Sequence, residues 1–233
     1  MNEDSRLNEW FVPKFGSLKF RAFVGLLFLP YTGMCISFTV IGAMLSPTIQ
    51  WDRVAAIVLI YGFALGVSAH AADNLGSKKN KPWGKYFSVR QLWLLMILGL
   101  SIAYSIGIYY IIFHVPLLVV IALIEGFFVF AYNFELFKGL LHNDIGFVFS
   151  WGALPVLGGY VIQTNSVGTL SILMSVSAAL ISWVHIKISR PYKELKRKKL
   201  DERRAGILEQ YLKLISLGTI AAAFVAIFLR VIF

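Results

Sequence analysis

Charged residues are scarce in this chain of 233 residues, and acidic residues are the scarcest of them. Asp, Glu, Lys and Arg together make 15% of the chain, whereas 58% of it is hydrophobic. Soluble domains carry about 25% charged residues, so this composition excludes an ordinary soluble core. The single cysteine, Cys35, excludes a disulfide framework and a cysteine-based metal site. The alternating pattern of a membrane β-barrel is also absent from the sequence.

The chain has instead a series of long apolar stretches joined by short polar connections. About 20 helical residues cross a hydrocarbon core of about 30 Å, and a helix satisfies its own backbone hydrogen bonds in lipid. The sequence therefore predicts an all-α polytopic membrane protein, with about seven transmembrane helices in one domain over residues 1–233. We place the spans at 22–46, 54–72, 91–113, 115–133, 146–164, 168–188 and 208–232.

Basic residues are concentrated in alternate connections, and this distribution predicts an orientation. The opposite connections and the far end of the chain hold only Arg53 and Arg230. Short loops rich in Lys and Arg stay cytoplasmic, so we expect a cell-membrane protein whose N-terminus is cytoplasmic and whose C-terminus is outside. Residues 1–21 then form a cytoplasmic interfacial segment, and 187–206 form a basic cytoplasmic loop, part of it an amphipathic or solvated helix.

The first polar group lies at the predicted cytoplasmic end of the second span. His70 and Asp73 are three residues apart, which places both on one face of a helix, and Asn74 follows. A carboxylate beside an imidazole or amide can hold a divalent cation or orient a polar substrate, so Asp73 is the candidate metal ligand. The alternative is a helix end whose polar residues simply meet water.

The second polar group begins inside the fourth span with Glu125. Intramembrane acids usually face a cavity or a partner, and Glu125 is therefore a catalytic candidate beside His70 and Asp73. The alternative is a protonated Glu125 hydrogen-bonded to a neighbouring helix. We expect Glu125 to share one cavity with His70, Asp73 and Asn133. The candidate substrate-binding residues that follow it are Tyr132, Asn133, Lys138, His142 and Asp144, although Asn143 or Asp144 could instead cap the fifth span.

The basic residues supply the third candidate set. Lys78, Lys138 and Arg190 could neutralise an anionic head group, since basic side chains suit phosphate recognition. The alternative is that these residues only anchor the chain at the cytoplasmic surface. The net charge of +10 lies in connections between spans, so we expect no nucleic-acid partner.

One region of the chain resembles a known family. The stretch from Leu140 to Phe147, followed by Trp151-Gly152-Ala153-Leu154-Pro155-Val156-Leu157-Gly158-Gly159-Tyr160 and Gln163-Thr164, is similar to the fifth-span region of the UbiA superfamily of intramembrane prenyltransferases. The resemblance implies a UbiA-like helical bundle whose lipid-open chamber takes a prenyl chain. It also implies Mg²⁺ on acidic motifs, holding the diphosphate of an isoprenoid donor. At the position of the first such motif this chain keeps one acid, Asp73.

Two functions follow from these features. The first is a UbiA-like prenyltransferase acting on a polyprenyl or isoprenoid substrate at the cytoplasmic face, in which Glu125 or His142 positions or deprotonates the acceptor. The second is a non-catalytic protein that binds a lipid or quinone, or a subunit of a membrane complex. An ion channel or proton relay ranks third. The sequence leaves donor length, acceptor, metal dependence and oligomeric state open.

Overall fold

The computed structural model describes residues 4–77, 83 and 86–233, and every regular element in those ranges is helical. Two short 3₁₀ turns, Asp4–Asn8 and Phe137–Gly139, accompany the helices. The α-helices are α1 (Leu18–Leu26), α2 (Leu29–Met44), α3 (Trp51–Tyr61), α4 (His70–Gly76), α5 (Val89–Phe113), α6 (Leu118–Asn133), α7 (Asp144–Val148), α8 (Leu154–Thr164), α9 (Thr169–Lys198) and α10 (Glu202–Ile232).

The described residues contain six helical segments long and apolar enough to cross a membrane, as a multi-pass membrane protein requires. They are Leu18–Met44, Trp51–Gly76, Val89–Phe113, Asp144–Thr164, Thr169–Lys196 and Glu202–Ile232. The predicted fourth span forms α6, which is apolar but has only 16 residues. At 1.5 Å per residue α6 is about 24 Å long, shorter than the usual hydrocarbon thickness. The helical class is confirmed, and a seventh crossing remains a prediction.

Two π-helical segments interrupt the second and fifth spans. Gly62–Ala69 lies between α3 and α4, and Phe149–Ala153 lies between α7 and α8. Each segment lies near the point where its span enters the predicted cytoplasmic half of the bundle. Such π-bulges are frequent at functional sites. The extra residue in each π-helical turn changes the direction of the side chains within and after that turn. These segments therefore set the directions of the His70 and Trp151 side chains.

The centre of the bundle is the close crossing of α2 and α8. A Cβ atom on Gly42 would overlap the carbonyl oxygen of Val156, and one on Gly159 would overlap that of Thr39. Small residues let membrane helices approach this closely. Close packing matters in lipid because no hydrophobic force drives helices together there. The first span is accordingly the most buried of the six, and α10 is the most exposed.

The predicted basic connection 187–206 is mostly helix in the structure, in agreement with the amphipathic or solvated helix expected there. Helix α9 continues through Pro191 to Lys198, α10 begins at Glu202, and only the turn 199–201 separates them. Lys199 adopts a left-handed conformation at this turn, with φ of 52°. An ion pair joins the two extended helices beside this turn, with Lys196 Nζ 2.8 Å from Glu209 Oε2.

The two basic residues at the opposite end of the bundle cap carbonyl groups. Arg53 donates to the carbonyls of Ile162 and Gln163 at the end of α8, and Arg230 donates to those of Met44 and Ser46 after α2. The last carbonyls of a helix lack intrahelical partners and attract cations. These two exceptions to the charge distribution therefore have a local structural role.

Candidate functional site

A polar cavity of about 210 Å³ lies where the ends of five helical segments meet on the predicted cytoplasmic side. We call it the polar cavity. The start of α2, the end of the second span, the end of α6, the beginning of the fifth span and the last third of α9 contribute its walls. The lining residues are Phe28, Tyr31, His70, Asp73, Tyr132, Asn133, His142, Phe147, Trp151, His185, Ile186, Ser189, Arg190 and Lys193.

His70 and Asp73 both line this cavity, so their predicted common face is confirmed. Nε2 of His70 lies 3.2 Å from Oγ1 of Thr32. That hydroxyl donates its single proton to the carbonyl of Leu27, at 2.7 Å, so it accepts the contact with His70. Nε2 therefore carries the ring proton, and Nδ1 of His70 is the nitrogen with a free lone pair.

Phe28 is a strained residue in the cavity wall. It connects α1 to α2 in the left-handed region, with φ of 44° and ψ of 49°. Positive φ is a genuine outlier for a bulky residue and persists only where the surroundings enforce it. The Phe28 ring stacks on His70 at 5.0 Å between centroids, and the cations of Arg6 and Lys193 lie over it at 5.9 and 5.6 Å.

One face of α9 contributes His185, Ser189 and Lys193, which are spaced four residues apart. The His185 side chain is 2% exposed, and its ring meets Tyr31 edge-on at 4.6 Å. Neither ring nitrogen of His185 has a hydrogen-bond partner among the described residues. Buried polar groups are usually paired, so an unpaired imidazole in a cavity wall points to a ligand.

The charges around the cavity are mainly positive. Lys193 and Arg190 line it, and the carboxyl of Asp73 interacts with the charges of Lys193, His142 and Arg6. Asp144 does not line the cavity and is held by two cations, with Lys187 at 2.7 Å and Arg190 at 2.6 Å. Asp144 therefore positions Arg190 at the cavity edge.

The end of α6 and the following turn supply Tyr132, Asn133 and His142. His142 packs on the Tyr132 ring at 4.5 Å, and its Nδ1 lies 2.9 Å from the carbonyl oxygen of Tyr132. Because a carbonyl only accepts, Nδ1 carries a proton and Nε2 can act as a base when the ring is neutral. Asn143 caps α7 by accepting from the Gly146 amide at 2.8 Å, so the capping alternative is correct for Asn143.

Two other predicted residues, Asn74 and Lys138, lie away from the polar cavity. Asn74 is fully buried. Its side-chain amide donates to the carbonyl of His70 and accepts from the backbone amide of Trp83. Lys138 is exposed in the turn Phe137–Gly139. Lys78 lies outside the described residues. The structure thus gives Asn74 a structural role and leaves Lys138 in solvent.

Glu125 does not share the polar cavity, so that prediction was wrong. Tyr61 in the second span donates to Oε1 of Glu125 at 2.8 Å, which matches the alternative of a hydrogen bond to a neighbouring helix. Glu125 lines a separate, apolar cavity of about 60 Å³ between α3, α5 and α6, which we call the Glu125 cavity. Glu125 and Asn133 are eight residues apart, so about 12 Å of helix separates them along the axis, and each faces a different space.

The residues of the polar cavity fit a single magnesium ion better than a pair. No group of three or more His, Cys, Asp or Glu side chains suited to a metal occurs among the described residues. Mg²⁺ often binds through one or two carboxylates, with substrate phosphates and water completing the shell. Asp73 could supply one such carboxylate, whereas the two-ion arrangement implied by the family resemblance would need more acids than this cavity contains.

Several residues of the site were not identified from the sequence. His185 and Lys193 had a usable signal, because polar residues four apart continue along one face of the sixth span. Trp151 and Phe147 are a stacked pair at 5.4 Å, and both lie in the stretch that resembles the UbiA superfamily, but neither was among the predicted site residues. Phe28 had no sequence signal, since its backbone conformation follows from packing.

No family model, curated protein or solved structure matches this chain. The resemblance to the UbiA superfamily therefore remains a prediction, and the polar cavity is the main indication of function.

Proposed function

We propose that the polar cavity binds the anionic head group of an isoprenoid diphosphate at the cytoplasmic face of the cell membrane, and that the protein transfers the prenyl group. The observation that carries this proposal is the convergence of Lys193, Arg190 and Asp73 on one aromatic-walled cavity among apolar spans. Cations near a departing diphosphate stabilise its developing charge, which is usually the largest contribution to such catalysis.

The roles follow from the geometry. Lys193 and Arg190 hold the diphosphate, while the rings of Phe28, Phe147 and Trp151 offer an apolar wall to the first carbons of the prenyl chain. The bond between the prenyl carbon and the diphosphate oxygen breaks, and the electron pair leaves with the diphosphate. The acceptor then attacks the same carbon.

The acceptor's proton needs a base within reach. Nε2 of His142 is the free ring nitrogen at the cavity mouth, and it can take this proton. Mg²⁺, when bound, would add positive charge beside the phosphates, and Asp73 is the residue that would hold it. Glu125 has no part in this scheme, because it lines the other cavity.

The test is diphosphate release by the full-length protein in lipid nanodiscs, with geranylgeranyl and farnesyl diphosphate as substrates. We expect release that Asp73→Asn lowers by about 10²–10³, because the variant loses the carboxylate that would hold a cation beside the developing charge of the diphosphate. Asp52→Asn, at the opposite end of the same span, is the matched control and should keep wild-type activity. Absence of release and of binding with both diphosphates would contradict the proposal.

A second candidate function, quinone binding without catalysis, is favoured by His185. A quinone carbonyl could accept a hydrogen bond from its unpaired ring, and the surrounding aromatic side chains could pack on a flat quinone. Mass spectrometry of co-purified lipids and titration with decylubiquinone distinguish the two functions. A bound quinone, together with no diphosphate release, would favour the binding protein over the enzyme.

A further inference from the structure

The Glu125 cavity has the composition of a separate lipid site. Apart from Glu125 and the hydroxyls of Tyr61 and Tyr104, its walls are apolar, and small residues such as Ala64, Gly107 and Ala122 leave the space open. Ala64 and Ala122 are only half-buried, so the cavity reaches the outer surface of the bundle, where membrane lipid would lie.

The two hydroxyl protons of this cavity are already donated, whereas one carboxyl oxygen has no partner in the described ranges. The Tyr61 hydroxyl gives its proton to Oε1 of Glu125, and the Tyr104 hydroxyl gives its proton to the carbonyl of Ala122 at 3.2 Å. The contact with Tyr61 is the single hydrogen bond that Glu125 makes within the described part of the chain. Oε2 of Glu125 makes no hydrogen bond among the described residues and is therefore available to a ligand.

The depth of Glu125 limits which ligand can reach it. Glu125 is seven residues from the start of α6 and eight from its end, so about 10–12 Å of helix lies on either side. A phospholipid could reach it only by drawing a charged head group into the hydrocarbon region, which is expensive. An uncharged lipid does not meet this cost.

A hydroxyl group matches both protonation states of the carboxyl group. A hydroxyl donates to an ionised Glu125 and can accept from a protonated one, whereas a ketone or ester can only accept. The cavity of about 60 Å³ has room for a hydroxyl and the first carbons of a chain. We propose that the Glu125 cavity is a second lipid site that binds the hydroxyl end of an uncharged long-chain alcohol, independently of the polar cavity.

The experiment is photo-crosslinking of the full-length protein in nanodiscs with a diazirine-bearing hexadecanol, mapped by mass spectrometry. We expect crosslinks on α5 and α6 that hexadecanol competes about five- to tenfold better than hexadecane, as one hydrogen bond would give. Hexadecyl phosphate should compete no better than hexadecane. Equal competition by hexadecane or by the phosphate would overturn the proposal.

Three variants test whether the crosslink depends on Glu125 and on the open space of the cavity. Glu125→Leu should abolish the preference for the alcohol over the alkane. Gly107→Leu should reduce the crosslink by filling the cavity with Glu125 intact, since a Cβ there meets only Ile60 at 4.0 Å. Gly218→Leu is the matched control, because nothing lies within 4 Å of a Cβ on that glycine of α10.

A variant of the polar cavity separates this proposal from the prenyltransferase proposal. Lys193→Met should leave the crosslink unchanged. A crosslink unaffected by Glu125→Leu and by Gly107→Leu would show that the probe only samples the lipid surface, and the second site would be rejected whether or not the protein releases diphosphate.

Discussion

The same two helical segments line both cavities, one after the other. In the second span, Tyr61 and Leu65 face the Glu125 cavity, whereas His70 and Asp73 face the polar cavity. Helix α6 repeats this order, with Val129 in the first cavity and Asn133 in the second. The two acids Asp73 and Glu125 therefore occupy different environments although they lie on neighbouring helices.

The difference comes from what closes each cavity. Arg190 and Lys193 of α9 line the polar cavity, and the charge of Lys193 lies within range of Asp73. Cations do not line the Glu125 cavity within the described ranges, and Tyr61 supplies its hydrogen bond instead. An acid among cations can help bind an anionic ligand or a metal, whereas an acid among apolar side chains can bind a neutral group.

The largest expected effect is on labelling, and it tests which end of the bundle is cytoplasmic. Lys138→Cys, in the connection that follows α6, should resist an impermeant maleimide in intact cells, whereas Ser166→Cys should label almost completely. Both positions are exposed, and the native Cys35 is buried. We expect this labelling pattern because short connections rich in Lys and Arg stay in the cytoplasm. The reverse pattern would place the polar cavity on the outer side.

The next effect concerns the half-buried cation of the polar cavity, Lys193. Lys193→Met should weaken diphosphate binding or release by about 10²–10³, because it removes the cation that lies over Phe28 and Tyr31. Substrate titration in nanodiscs measures it. Lys198→Met, an exposed lysine of the same helix, is the control. Equal losses in the two variants would mean that the charge acts only through the surface field.

Arg190 should have a smaller effect because its side chain is half exposed. We expect Arg190→Ala to weaken the same binding about tenfold, since solvent screens an exposed cation. Lys187→Ala is the matched control, because Lys187 pairs with Asp144 but does not line the polar cavity. Wild-type binding by Arg190→Ala would remove Arg190 from the site.

The smallest effect tests the separation of the cavities. Tyr61→Phe should lower the free energy of unfolding by about 0.6 kcal/mol, the average for a hydrogen bond between membrane helices. It should leave diphosphate binding in the polar cavity unchanged. Equilibrium unfolding in mixed micelles measures the first quantity, with Tyr211→Phe, an exposed tyrosine of α10, as control. A loss of diphosphate binding in Tyr61→Phe would show that the cavities are coupled.

Local features of the site could be predicted because they depend on helical period and on capping chemistry. His70 and Asp73 share a face as their spacing requires, and Asn143 caps α7 as its side chain favours. The prediction for Glu125 failed although the period was correct, because residues on one face of α6 can lie in different cavities along its length. The helix expected within 187–206 is present, although the structure divides it between the end of α9 and the start of α10, which one ion pair joins.

The sequence by itself determined the helical membrane class, the scarcity of acids and the alternation of basic connections, since each depends on composition or on local order along the chain. Only the tertiary structure decided which polar residues meet. It brought His185 and Lys193 of α9 to His70, placed Phe28 in a left-handed conformation, and gave Glu125 a cavity of its own. The physical reason is that helix crossings, set here by the close contact of α2 with α8, join residues distant in the chain, and periodicity within one helix carries no information about its neighbours.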